Sequence, residues 1–111
     1  MSAMQDVRTS GAVLSTNAQI KVNCGFQPAF VKLFTVGQNT EAFWMASMPQ
    51  DAIVRRSGDA VSNATYTTTS GIKLFKDSSG EGFTIEPGAP VNPAGSSEIF
   101  WLALRGWGPT L

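Results

Sequence analysis

The chain has 111 residues, of which 42% are hydrophobic and 14% charged, with eight Lys plus Arg, eight Asp plus Glu and no His, so the formal net charge is zero. A chain of this length makes one domain that buries about 60 to 70% of its unfolded surface and folds without metal or disulfide. Balanced charge, with no like-charge run longer than Arg55-Arg56, excludes an electrostatic grip on nucleic acid or an anionic membrane surface, and no window approaches the ~20 apolar residues of a membrane-spanning helix.

Residues 1–10 are polar and without period, and are read as a flexible N-terminal arm ahead of a single domain over 11–111. The first residues carry no cationic segment followed by an apolar one, so synthesis in a cytoplasm is expected. Gly11-Ala12-Val13-Leu14 begins a first short strand. From Ala18 to Cys24 the pattern alternates, with Ala18, Ile20, Val22 and Cys24 inward and Gln19, Lys21 and Asn23 outward, as a half-buried strand requires. Cys24 is the sole cysteine, which excludes an internal disulfide, and with no His to activate a thiolate it is read as buried and unreactive.

Pro28 biases Gln27 to an extended backbone, so a strand is expected from about Ala29 to Gly37. Its faces are Val31, Leu33 and Thr35 against Phe30, Lys32, Phe34 and Val36, and neither is polar. A strand of this kind is covered on both sides, in a short chain by a second subunit. After the turn cluster Gly37-Gln38-Asn39-Thr40 the chain returns as the other arm of a hairpin through Thr40 to Met48, again with two apolar faces. Gln50 to Gly58 reads as a short helical turn or an extended loop, and Thr65 to Thr69 as an edge strand or a long loop. Ile72 and Leu74 should face Phe83 and Ile85 across a hairpin that turns at Asp77-Ser78-Ser79-Gly80. Pro87, Pro90 and Pro93 make the next stretch a long connection. The final strand, Glu98 to Arg105, is the second with two apolar faces, and Trp107 follows between two glycines.

Little here carries chemistry. One Cys and no His rule out structural zinc and His-dependent triads. Glu81 with Glu86 and Asp51 with Asp59 read as solvated turn formers rather than acid-base pairs, and Asp77 to Glu81 lacks the ligand spacing of a calcium loop. No catalytic residue, cofactor, metal or small-molecule substrate is expected, and the chain is not read as an enzyme. The aromatics read as core or interface. Half-exposed Phe34, Phe43 and Trp101, each burying about 100 Å² at about 25 cal/mol per Å², would yield about 7 kcal/mol gross, comparable to the cost of association.

Gly25-Phe26-Gln27-Pro28-Ala29-Phe30-Val31-Lys32, a following hairpin, Gly71-Ile72, Gly82-Phe83-Thr84-Ile85, Val91-Asn92 and a closing Ile99-Phe100-Trp101-Leu102-Ala103 together resemble small β-sandwich virion proteins of tailed bacteriophages. The resemblance runs from about residue 18 to residue 105 and implies a structural, non-enzymatic role. It brings no set of functional residues.

The expected fold is all-β, an antiparallel, jelly-roll-like sandwich of about seven to nine strands. The expected function is that of a capsid decoration or cement protein, made in the host cytoplasm and bound as a homo-oligomer, a trimer, to the assembled major capsid protein. Phe30, Phe34, Phe43, Trp101 and Trp107 are the expected subunit interface. Met4, Gln5, Asp6, Val7 and Arg8 of the arm, with Arg55 and Arg56, are expected to dock on the shell. Two alternatives stand beside this: a carbohydrate-binding module of a tail fibre or spike that stacks sugars on Tyr66, Trp44 or Trp107, and a head-tail or collar component.

Overall fold

Alternating apolar and polar positions, interrupted by Gly, Asn and Asp turns, fold the chain into strands alone. The computed structural model describes residues 8–57, 64–88 and 91–106, which form β1 (Arg8–Leu14), β2 (Ile20–Asn23), β3 (Pro28–Thr35), β4 (Thr40–Met45), β5 (Ala52–Ser57), β6 (Thr65–Asp77), β7 (Gly80–Ile85) and β8 (Glu98–Arg105). All eight pair antiparallel in one sheet of order β1-β8-β3-β4-β5-β6-β7-β2. The fold is therefore all-β and antiparallel.

The sheet curls into a half-barrel, and its concave face is the core. Val31, Leu33, Trp44, Ile53, Ile72, Phe83, Ile85 and Ile99 are all buried there. Phe83 of β7 meets Trp101 of β8 edge to face at 5.6 Å between ring centroids, although β3, β4, β5 and β6 lie between those strands in the sheet. One continuous sheet thus makes both layers through its own curvature. This differs from the expected sandwich of two separate sheets. The outermost pairings, β1 with β8 and β2 with β7, nest as in a jelly roll, but β3 to β7 run as an up-and-down meander.

β6 carries a local irregularity that adds to the bend. Its pairing with β5 jumps from Ile53↔Thr67 to Ala52↔Ile72, leaving residues 68–71 as a bulge. Ser70 takes a left-handed φ of 58°, and the Gly71 N–H donates to Asp51 Oδ1 at 3.0 Å. A Cβ on Gly71 would run into the Ala52 carbonyl, so only glycine lets the two backbones approach this closely. Bulges of this kind bend a strand and increase its twist.

The open end between β1 and β2 is held by Asn92, which is fully buried. Its Oδ1 accepts from the N–H groups of Thr16 at 2.9 Å and Asn17 at 3.2 Å, and its Nδ2 donates to the Ala18 carbonyl at 2.7 Å. The Thr35 hydroxyl donates to the Val91 carbonyl at 2.7 Å, which ties the same connection to β3. A buried polar group is stable only when paired in this way.

Three segments depart from expectation. Residues 52–57, read as a helical turn or loop, form β5 between β4 and β6, because Ala52 and Ile53 bury fully while the two arginines sit at the far end of the strand. Thr65 to Thr69 are not a separate edge strand or loop but the first part of β6, anchored on β5 through Tyr66 and Thr67. Arg8, Thr9 and Ser10, assigned to the arm, are the first residues of β1 and pair with Leu104, Ala103 and Leu102.

Candidate functional site

The convex face of the sheet is where an apolar sequence meets open space. Strand alternation turns Phe30, Lys32 and Phe34 of β3 outward, and the register sets them beside Glu41, Phe43 and Met45 of β4 and beside Phe100, Leu102 and Leu104 of β8. One cross-strand row holds Ala12, Phe100, Phe34 and Glu41, and the next holds Ser10, Leu102, Lys32, Phe43, Val54 and Tyr66. Phe34 stays 38% exposed, Met45 37%, Phe100 47% and Tyr66 53%. Scattered exposed apolar residues are ordinary on a protein surface; aligned neighbours across five strands make a patch.

Within this face Phe30 and Phe43 stack at 6.1 Å with an interplanar angle of 21°, the offset geometry that aromatic pairs favour. They line a groove of about 340 Å³ together with Met45 and Val54, and Arg55, Arg56, Lys32 and Glu41 reach its rim. The Lys32 ammonium lies 3.9 Å from the Glu41 carboxylate, a solvated pair that contributes little to stability but sets the charge at the centre of the patch. A second, shallower depression lies along Phe34, Phe100, Leu102 and Lys32.

The residues singled out from sequence sort cleanly. Phe30, Phe34 and Phe43 are together on the convex face, and Arg55 and Arg56, assigned to a different surface, share the groove of Phe30 and Phe43. Trp101 departs from that set. It lies in register with Leu33 and Gly11, and its ring turns inward onto Phe83 over the backbone of Gly11. Trp44 is buried at 1% exposure with its indole N–H donating to the Pro49 carbonyl at 2.9 Å, so its faces are closed to a sugar. Tyr66 remains exposed on the convex face. Arg8 is an exposed residue of β1, while Met4, Gln5, Asp6, Val7 and Trp107 lie outside the described residues.

Two participants escaped the sequence reading. Phe100 lies on an apolar face that the sequence shows, but only the β3–β8 register sets it beside Phe34. Val54 joins the patch only because residues 52–57 are a strand, which the consecutive arginines disguised.

Elsewhere the titratable groups serve the fold. Burial pushes the Cys24 thiol above its ordinary pKa, and Sγ donates to the Phe26 carbonyl at 3.2 Å. The Asp77 carboxylate is held well below the usual carboxylate range, first by the Lys21 ammonium at 2.7 Å and then by the Ser79 hydroxyl and N–H. Among the described residues no group of three His, Cys, Asp or Glu is placed to hold a metal ion, and no helix is long and apolar enough to cross a membrane. Comparison with protein-family profiles, curated proteins and solved structures returns no match.

Proposed function

We propose that this chain is a structural virion protein of the capsid decoration or cement type, which self-associates and binds the assembled major capsid protein through the convex face of its sheet. The observation that carries the reading is the Phe30, Phe34, Phe43 and Phe100 patch. These rings stand on strands whose other face is committed to the core, and among the described residues nothing covers the patch. Burying it against protein removes apolar area from water, and repetition over a lattice multiplies a contact that is marginal alone. Arg55 and Arg56 at the groove rim supply charge for orienting the partner. The resemblance of residues 18–105 to small phage virion proteins supports the same class.

The test is co-sedimentation with assembled shells of the major capsid protein. Wild type should pellet with the shells, and a Phe34→Ser, Phe100→Ser double variant should stay in the supernatant while keeping its strand signal in circular dichroism. Wild type that fails to pellet, or a double variant that pellets equally, overturns the proposal. Exposed Tyr66 beside the groove is the one feature that favours a saccharide instead; a glycan screen with saccharide-specific binding abolished by Tyr66→Ala would establish that function in its place.

A further inference from the structure

The sheet has two free edges, and they are built differently. β2 is four residues long, carries Lys21 at its middle, and spends that charge on Asp77 of its own sheet, with the ammonium also 4.7 Å from the centre of the Phe75 ring. Short, charged edges of this kind are protected against pairing. β1 is seven residues long, has no Lys, Pro or acidic residue, and has Arg8 at one end as its sole charge. Among the described residues no strand lies along its outer edge.

Hydrogen-bond alternation fixes which groups that edge offers. The Ser15 N–H donates to the Ser97 carbonyl at 2.7 Å, and the register continues as Val13↔Ile99, Gly11↔Trp101 and Thr9↔Ala103. These odd-numbered residues spend their backbone groups on β8. Arg8, Ser10, Ala12 and Leu14 therefore direct their N–H and C=O groups away from it, as the antiparallel ladder requires.

We infer that β1 pairs with β1 of a second copy, antiparallel across a twofold axis at Gly11, joining two sheets into one. In this register Arg8 opposes Leu14 and Ser10 opposes Ala12, and each pair falls at a hydrogen-bonding position. All four residues on each strand are then satisfied, with about eight bonds in total. Shifting the register by one hydrogen-bonding step either way leaves one pair unmade.

Charge favours the same alignment. Leu14 is in register with Glu98 on its other side, so the outward row becomes Glu98, Leu14 and the second copy's Arg8. The guanidinium then reaches across an exposed leucine toward a carboxylate two strands away, a separation of about 10 Å between backbones that two long side chains span. Neither Arg8 nor Glu98 has an ion-pair partner among the described residues, and no like charges face each other. A second copy is the occupant with both halves of this complementarity, because it brings the same strand reversed. The pairing stands apart from the convex-face reading, and either can fail alone.

The experiment is sedimentation equilibrium of the full chain at low and high micromolar concentration. A twofold contact makes the mass an even multiple of the protomer, two copies if the convex face is idle and six if that face makes trimers. Ala12→Pro removes an outward N–H without touching the β8 ladder, and Ala12→Lys places a charge on the edge; each should halve the mass with circular dichroism unchanged. Arg8→Glu should raise the dissociation constant, and Arg8→Glu with Glu98→Arg should recover it. A wild-type mass of one or three copies, or an unchanged mass in Ala12→Lys, overturns the pairing. Failure of the charge swap to recover association overturns the Gly11-centred register.

Discussion

Phe83 and Trp101 touch edge to face at 5.6 Å although four strands separate them along the sheet, so this contact reports the curl directly. Phe83 is fully buried, and Phe83→Ala should cost about 3 to 5 kcal/mol in urea unfolding. The Phe83→Ala, Trp101→Ala double-mutant cycle should return a coupling of about 0.5 to 1.5 kcal/mol. Additive losses would mean the two layers do not meet at these rings.

Asn92→Ala should cost about 2 kcal/mol, because it removes a fully buried amide and its bonds to the backbone of Thr16, Asn17 and Ala18. Asn92→Asp keeps the acceptor but points a carboxylate at the Ala18 carbonyl that Nδ2 now satisfies, and should be no more stable than the alanine variant at neutral pH. Thermal melts of both proteins at pH 7 check this, and near-wild-type behaviour of either would show that Asn92 is not what holds the open end.

Gly82→Ala should detach β2 from β7. A Cβ there meets the Val22 carbonyl, which is backbone of the paired strand and cannot swing aside. The expected loss is about 2 kcal/mol or more, with amide protection falling first at Ile20 and Val22, whose N–H groups face β7, in hydrogen exchange. Protection lost uniformly across the sheet would contradict the local origin of the strain.

These sites divide according to what a sequence can encode locally. The hairpin pairing of Ile72 with Ile85 and Leu74 with Phe83 was legible because turn chemistry and alternation sat within one short segment. Both apolar faces of β3 and β8 were legible for the same reason. Asn92 was not, since its partners in the β1–β2 connection are more than 70 residues away and nothing in a proline-rich connection distinguishes a buried amide from a solvated one. Trp101 is read as surface because alternation defines two faces without stating which is concave; the curl decides that, and it is a property of the whole sheet rather than of β8. Arg55 and Arg56 hid β5 because propensity weighs against consecutive charges in a strand, while the open rim of a half-barrel tolerates them.

Phe34→Ser and Phe100→Ser together should lower folding stability by about 2 to 4 kcal/mol without unfolding the chain, because each ring is already partly in water. Chemical denaturation of the monomeric fraction measures this. A larger loss would assign the two rings to the fold rather than to a partner.

The Asp77 carboxyl should titrate well below an unfolded carboxylate, in the order of causes Lys21 then Ser79. A depressed folded value means that the contribution to stability is present above about pH 4 and disappears as the pH falls through the folded value. The difference in melting temperature between wild type and Asp77→Asn should therefore be small, shrink below about pH 4 and shrink with added salt, since the pair is open to solvent. A difference that persists in acid would place the effect in the turn rather than in the charge.

β8 lies between β3 and β1, yet it leaves the ribosome after both. The meander from β3 to β7 is made of neighbours in sequence and can zip while synthesis proceeds, whereas β8 must close loops spanning most of the chain before it gains a single bond. Until it arrives, the edge of β3 that it will occupy stays bare and apolar. The interval between translation of β7 and docking of β8 is therefore the nascent chain's window of vulnerability to misassembly, and variants that slow this last insertion should aggregate during expression even when the finished fold is as stable as wild type.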